Sequence, residues 1–183
     1  TKRNVTEILT EAFPQTAILA LVSIFFAIVV GITIGIVCAL YKDSFFDKAS
    51  IVISVFGMAL PSFFAAIVFA WIFAYLLGDL TGLNMFGSLY TVDDFGSGQH
   101  LDLKNLILPA FTLGIRPLAI VVELTRSTTL ETLSQDYVRT AYAKGLSKFK
   151  VVWRHVIKNS LNPIVTAVSG WLASLMAGAV FIE

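Results

Sequence analysis

Four stretches of this chain carry few or no charges, and polar segments separate them. Residues 12–41 hold no Asp, Glu, Lys or Arg over 30 positions, whereas about 20 apolar residues suffice to cross the hydrocarbon core of a membrane. Residues 49–78 form a second charge-free run and 159–182 another, while 105–130 is a less apolar stretch that carries Arg116, Glu123 and Arg126. Runs this long predict helices, because a segment in lipid must satisfy its own backbone N–H and C=O groups. The predicted spans cover about 15–41, 49–77, 105–130 and 160–182. The predicted fold class is therefore all-α: a polytopic transmembrane helical bundle, with 1–183 as a single domain.

Details inside the runs refine the pattern. Val5, Ile8, Leu9, Ala12 and Phe13 keep a helical period within the polar segment 1–15, which predicts a helix lying on the membrane surface, with Pro14 ending it or opening the next helix. Pro61 removes a backbone donor in the middle of the second run and predicts a kink there. Gly31 and Gly35 stand four apart, either as a face on which another helix packs closely or as glycines merely tolerated in a span. Residues 42–48 read as a short turn, and 78–104, rich in glycine with Asp93 and Asp94, as a loop or small subdomain outside the lipid.

The longest polar segment is 131–159. It is no span, since Arg139, Lys144, Lys148, Lys150, Arg154 and Lys158 would each cost about 2.5–3.5 kcal/mol at a helix centre. Its apolar residues still recur at helical spacing: Val138, Ala141 and Tyr142 before Gly145, then Leu146, Phe149, Trp153 and Val156, with Ser160 continuing the rhythm. Two short amphipathic helices joined at Gly145, which adopts a left-handed turn at little steric cost, are the expected structure.

Composition sharpens the class. Hydrophobic residues make up 57% of the chain, charged residues 14%, and the mean hydropathy is +0.83, far from the roughly 25% charged of soluble domains. A net charge of +1 provides no basic field for nucleic acid. Alternating four spans puts Lys42, Lys48, Arg126, Arg139, Lys144, Lys148, Lys150, Arg154 and Lys158 on one side and Lys2, Arg3 and Lys104 on the other, nine against three. The positive-inside tendency then makes 131–159 cytoplasmic and 78–104 external.

Candidate chemistry is sparse. There is no G-x-x-x-x-G-K-[ST] phosphate loop, no metal-ligand spacing and no nucleophile with a base, so neither metal nor cofactor is expected. Cys38, the sole cysteine, reads as a buried thiol, and His100 as a solvated surface residue. Charges within the third run mark a pathway, a partner or a pair. Glu123 and Arg126, three apart on a helix, can pair directly near its cytoplasmic end. Arg116 either faces a pore and meets anionic groups of a substrate, or pairs with a neighbouring helix.

The order Asp136-Tyr137-Val138-Arg139-Thr140-Ala141, then Ala143-Lys144-Gly145-Leu146-Ser147, then Arg154-His155 and Asn159-Ser160-Leu161-Asn162-Pro163 resembles the cytoplasmic loop of ABC-importer permeases, the membrane subunits of binding-protein-dependent transport. It is most similar to the dipeptide, oligopeptide and nickel class. Arg139-Thr140-Ala141 stands where the wider superfamily has Glu-Ala-Ala, and His155-Val156-Ile157-Lys158 where it has Ile-x-Leu-Pro. The words Ala59-Leu60-Pro61-Ser62-Phe63 also resemble these permeases, in which this stretch borders the translocation path.

The resemblance implies a multi-pass subunit of the bacterial inner membrane that works with a second permease, two cytoplasmic ATP-binding subunits and an extracytoplasmic substrate-binding protein. It implies one further span before Thr1 and one after Glu183, so the chain reads as part of a longer protein. Tyr137, Arg139, Thr140, Ala141, Tyr142, Ala143, Lys144, Gly145 and Leu146 are the expected ATPase-docking surface. Pro61, Ser62, Phe63, Arg116 and Glu123 are the expected pathway residues. Two other readings stay open: basic residues of the hairpin meeting membrane lipid head groups, and a membrane-anchored scaffold or sensor that recruits a soluble partner without transport.

Overall fold

The computed structural model describes residues 4–85, 90–92 and 99–179. Eight helices follow one another: α1 (Val5–Leu40), α2 (Phe45–Ala59), α3 (Ser62–Phe69) with a π-helical continuation (Ala70–Leu76), α4 (Gly78–Thr81), α5 (Lys104–Leu133), α6 (Asp136–Ala143), α7 (Lys148–Val151) with a π-helical turn (Val152–Val156), and α8 (Ile157–Ala179). Two three-residue strands, β1 (Tyr90–Val92) and β2 (Gln99–Leu101), pair antiparallel with Thr91 opposite His100. Apart from these strands, every regular element among the described residues is helical. Asp93 and Asp94 lie outside the described residues.

The helices follow the charge-free runs with three differences. Residues Phe13–Leu40 and Lys104–Leu133 form helices long and apolar enough to cross a membrane, and α2 with α3 and its continuation form a broken pair that passes the same test together. Over the described residues, which end at Ala179, α8 does not meet that test. The first difference is that no separate surface helix precedes Pro14: α1 runs through it without interruption from Val5. A proline costs the ladder one hydrogen bond, which a 36-residue helix absorbs.

The second difference is at Pro61, where the expected kink is a full break. Proline disfavours the helical region for the residue before it, so α2 stops at Ala59. Pro61 itself is extended (φ −62°, ψ 137°) and its carbonyl accepts the Ala65 N–H at 3.0 Å, which starts α3. The third difference is the wide turn at 152–156, described below.

By its internal contacts the chain divides into two compact units, one of 1–23, 60–114 and 172–183, the other of 24–59 and 115–171. In the first, Phe69, Phe73 and Phe111 form an aromatic cluster with ring centroids 5.3–6.4 Å apart, Phe111 meeting the other two edge-on. The π-helical continuation ends where Leu77 N–H reaches back to Ile72 C=O (2.9 Å), and Thr81 Oγ1 donates to the Phe73 carbonyl (2.6 Å).

In the second unit α1 and α5 cross at glycine. A methyl group built on Gly31 would lie 2.8 Å from Val121 Cβ, and one on Gly35 2.6 Å from Thr125 Cβ. The two glycines therefore form the close-packing face that their spacing allows, since only a missing side chain lets backbones approach this far. Cys38 is buried in the same unit, as are Val121, Val122, Thr125 and Thr129 on α5.

Candidate functional site

The polar hairpin grows out of α5. Gln135 is extended (φ −71°, ψ 147°) and sets the start of α6, with Asp136 in the first turn where the helix dipole favours an acid. Arg139 lies 3.6 Å from Asp136, an exposed pair of little energetic weight. At the other end α6 closes in a Schellman motif. Leu146 N–H donates to Ala141 C=O (3.3 Å) and Gly145 N–H to Tyr142 C=O (2.9 Å). Gly145 takes φ +78°, the left-handed position that this motif requires. Ser147 (φ −63°, ψ 151°) then opens α7.

The two limbs enclose a core of their own. Val138, Ala141, Val151 and Val156 are buried together, with Leu133 and Leu146 packed against them. Each fully buried valine contributes about 1.5–3 kcal/mol relative to exposure, enough to make so short a hairpin a defined body. The second limb differs in phase from its apolar spacing. Phe149 and Trp153 are 76% and 66% exposed and stack on each other (6.3 Å, 6°), while Val151 and Val156 point inward. Those two valines are five apart, and the π-helical turn between them, with its i→i+5 bonding, is what keeps both on one side.

This places the expected docking residues in two groups. Tyr137, Arg139, Thr140, Tyr142, Ala143 and Lys144 are exposed along α6. Ala141 is not on that outer face: it is buried against α7, and half-buried Leu146 packs beside it. Gly145 is exposed at the corner. Tyr137 also accepts a hydrogen bond from Asn159 Nδ2 (3.2 Å), and Thr128 Oγ1 donates to Ser160 C=O (3.2 Å). The first bond ties α6 to α8 and the second ties α5 to α8, while Leu133 at the end of α5 packs against the hairpin core.

The charges of α5 are arranged otherwise than expected. Arg126 does not pair with Glu123, which is exposed and has no ion pair among the described residues. Its partner is Asp47 on α2. Arg126 Nη2 donates to Asp47 Oδ2 at 2.8 Å and Nε donates to Oδ1, so the guanidinium grips the carboxylate with two parallel bonds. Asp47 is only 1% exposed. Its Oδ2 also accepts the Asp43 N–H (2.9 Å), and its own N–H donates to Ser44 Oγ (3.2 Å). Asp47 stands three positions after Ser44 in the pattern that starts helices; that pattern, just before an apolar run, was the available sign that Asp47 is structural. Asp43 takes φ +65°, which brings its amide round to the carboxylate.

Arg116 is exposed on α5, and no ion pair holds it among the described residues. In the other unit Pro61 and Phe63 are exposed and Ser62 is half-buried. No group of three or more potential metal ligands occurs among the described residues.

A hydrophobic helical chain with a self-packed polar hairpin is what the comparisons with known proteins match. The family described as binding-protein-dependent transport system inner membrane component covers residues 31–183. The chain belongs to this family. As a member it carries the polytopic helical membrane fold of such a component. The dipeptide transport system permease protein DppB of Alkalihalophilus pseudofirmus is 37% identical over 192 residues, spanning 96% of this chain and 58% of that protein. DppB of Bacillus subtilis is 34% identical, spanning 98% of this chain and 54% of the relative. The di/tripeptide transport system permease protein DppB of Pseudomonas aeruginosa is 36% identical, spanning 93% and 55%. The chain therefore spans about half the length of the curated relatives that it matches.

Proposed function

We propose that this chain is part of the membrane-spanning permease subunit of an ATP-driven importer of short peptides, and that α6 is where it receives the work. The observation that carries this is the hairpin itself. Membership in a transport family supports a role in moving a solute, and the sequence contains no phosphate loop with which to drive the movement. Energy must then arrive through a bound partner. A short helix locked from below by its own apolar core, with Tyr137, Arg139, Thr140, Tyr142, Ala143 and Lys144 turned outward, suits that role. Large aromatic and basic side chains of this kind anchor interfaces.

In this reading two cytoplasmic ATPase subunits supply the strokes, a second permease completes the pathway, and an external binding protein delivers the cargo. Closure of the ATPase pair pushes α6, and because the hairpin is rigid the push is passed to α5 and α8 instead of being absorbed. The membrane core then shifts between two arrangements biased by nucleotide. Peptide cargo is proposed from the relatives' names, which are those of dipeptide and di/tripeptide permeases. Arg116 and Glu123 on α5, with Pro61, Ser62 and Phe63, are proposed to border the pathway. The scaffold alternative has no support in the family.

The test uses the full-length protein, purified with its partners and reconstituted in vesicles. ATP-dependent peptide uptake is expected. Replacing both Tyr137 and Tyr142 with alanine is expected to release the ATPase subunits, lowering the recovered ATPase by about tenfold, the scale of one or two lost interface anchors. A complex that stays stoichiometric in that variant refutes α6 as the docking surface, and an assembly indifferent to ATP refutes the transport reading.

A further inference from the structure

Resting on that functional reading, we infer that the Asp47–Arg126 pair is a coupling clasp: it makes the adjoining ends of α2 and α5 move as one body with the hairpin. Arg126 lies seven residues before Leu133, the end of α5, or about 10 Å along the axis, and α6 begins three residues later at Asp136. A push on α6 therefore reaches Arg126 across the short Ser134–Gln135 connection and then two turns of α5. On the far side of the clasp is the start of α2, capped by Ser44 and Asp47.

The clasp is built for position more than for stability. A buried ion pair gains little over well-packed apolar residues of the same size, because desolvating both charges offsets their attraction. What it adds is direction. Two parallel bonds from a planar guanidinium resist sliding along the helix axes, whereas an apolar contact yields to it. A third bond, from the Asp43 amide to the same Oδ2, holds the carboxylate further. Elsewhere between these helices the approach is also close, though less so than at α1: a methyl group on Gly57 of α2 would meet Ala119 Cβ at 3.3 Å. Those glycine contacts set how near the helices come, and the ion pair is the polar bond that sets their register along the axis.

The experiment compares peptide imported per ATP hydrolysed, a ratio independent of how much protein inserts. It uses the full-length permease with its partners in vesicles. In Arg126→Met the ATPase subunits stay bound and hydrolyse ATP, while peptide per ATP is expected to fall about tenfold, within the usual span of coupling between sites. Arg126→Lys, which keeps the charge but loses the fork, is expected to fall between the two. The double variant Asp47→Leu with Arg126→Met removes both charges; it is expected to insert and resist heat like the parent, yet to remain uncoupled. Exchange of the two residues, Asp47→Arg with Arg126→Asp, is expected to recover part of the ratio. An unchanged ratio in Arg126→Met or in the apolar double variant overturns the clasp. Failure of the parent assembly to import peptide would instead overturn the functional reading beneath it.

Discussion

Replacing Gly35 with alanine puts a methyl group where the fold has no room for one. That carbon would lie 2.6 Å from Thr125 Cβ, 2.9 Å from Thr125 Cγ2 and 2.8 Å from the Val122 carbonyl oxygen. Non-bonded carbons rest at about 3.5–4.0 Å, so α1 and α5 must part by about 1 Å at this point. Overpacking of this kind costs about 1–3 kcal/mol. Alanine returns up to about 1 kcal/mol through its better helix propensity. A side chain could turn away, but the Val122 oxygen belongs to the backbone and cannot, so the net loss is expected near 1–2 kcal/mol. Thr125→Ala is expected to rescue little, because it leaves both Thr125 Cβ and that oxygen in place.

The assay is unfolding of the purified full-length protein in detergent, scored as the midpoint of loss of folded protein with heat or denaturing detergent. Gly57→Ala and Gly170→Ala provide the scale. The first would meet Ala119 Cβ at 3.3 Å and the second nothing within 4 Å in this chain, so the expected order of stability is Gly170→Ala, Gly57→Ala, Gly35→Ala. A Gly35→Ala protein as stable as the Gly170→Ala protein refutes the argument that a missing side chain is what lets these helices meet.

Two further outcomes are expected. Gly145→Ala meets no atom within 4 Å, so its cost is that of holding an L-residue at φ +78°, about 1–2 kcal/mol; Gly145→Asn is expected to cost less, and bulky replacements to lower transport and coupling without preventing insertion. Faster hydrogen exchange of the 136–156 amides in the alanine variant checks this, and unchanged exchange speaks against a backbone origin. Arg116→Met is expected to reduce peptide uptake at equal protein level, and unchanged uptake removes Arg116 from the pathway.

Much of the fold was legible in the sequence because lipid leaves a chain few choices. Runs without charge had to become helices, and a disturbance at Pro61 was legible from proline's effect on its own nitrogen, although as a kink and not as the full break that separates α2 from α3. Gly145 was legible for the same local reason: the turn that ends α6 needs positive φ, and glycine takes it freely. The buried side chains of the hairpin were less so. A regular helical rhythm selects Phe149, Trp153 and Val156 as inward residues; Val156 is buried as expected, but the wide turn at 152–156 changes the phase and buries Val151 and Val152 in place of Phe149 and Trp153.

The amino-acid order by itself determined the class of the protein, its helical elements, the left-handed corner of the hairpin and the absence of a phosphate loop, because each depends on the residue and its near neighbours. Only the tertiary structure decided which helix the Gly31 and Gly35 face would meet, that Ala141 turns inward, and that Arg126 reaches past Glu123, three residues away, to Asp47, 79 residues away. Those choices belong to packing: a side chain on a helix surface has several partners within reach of its spacing, and which of them is present depends on segments far off in the chain.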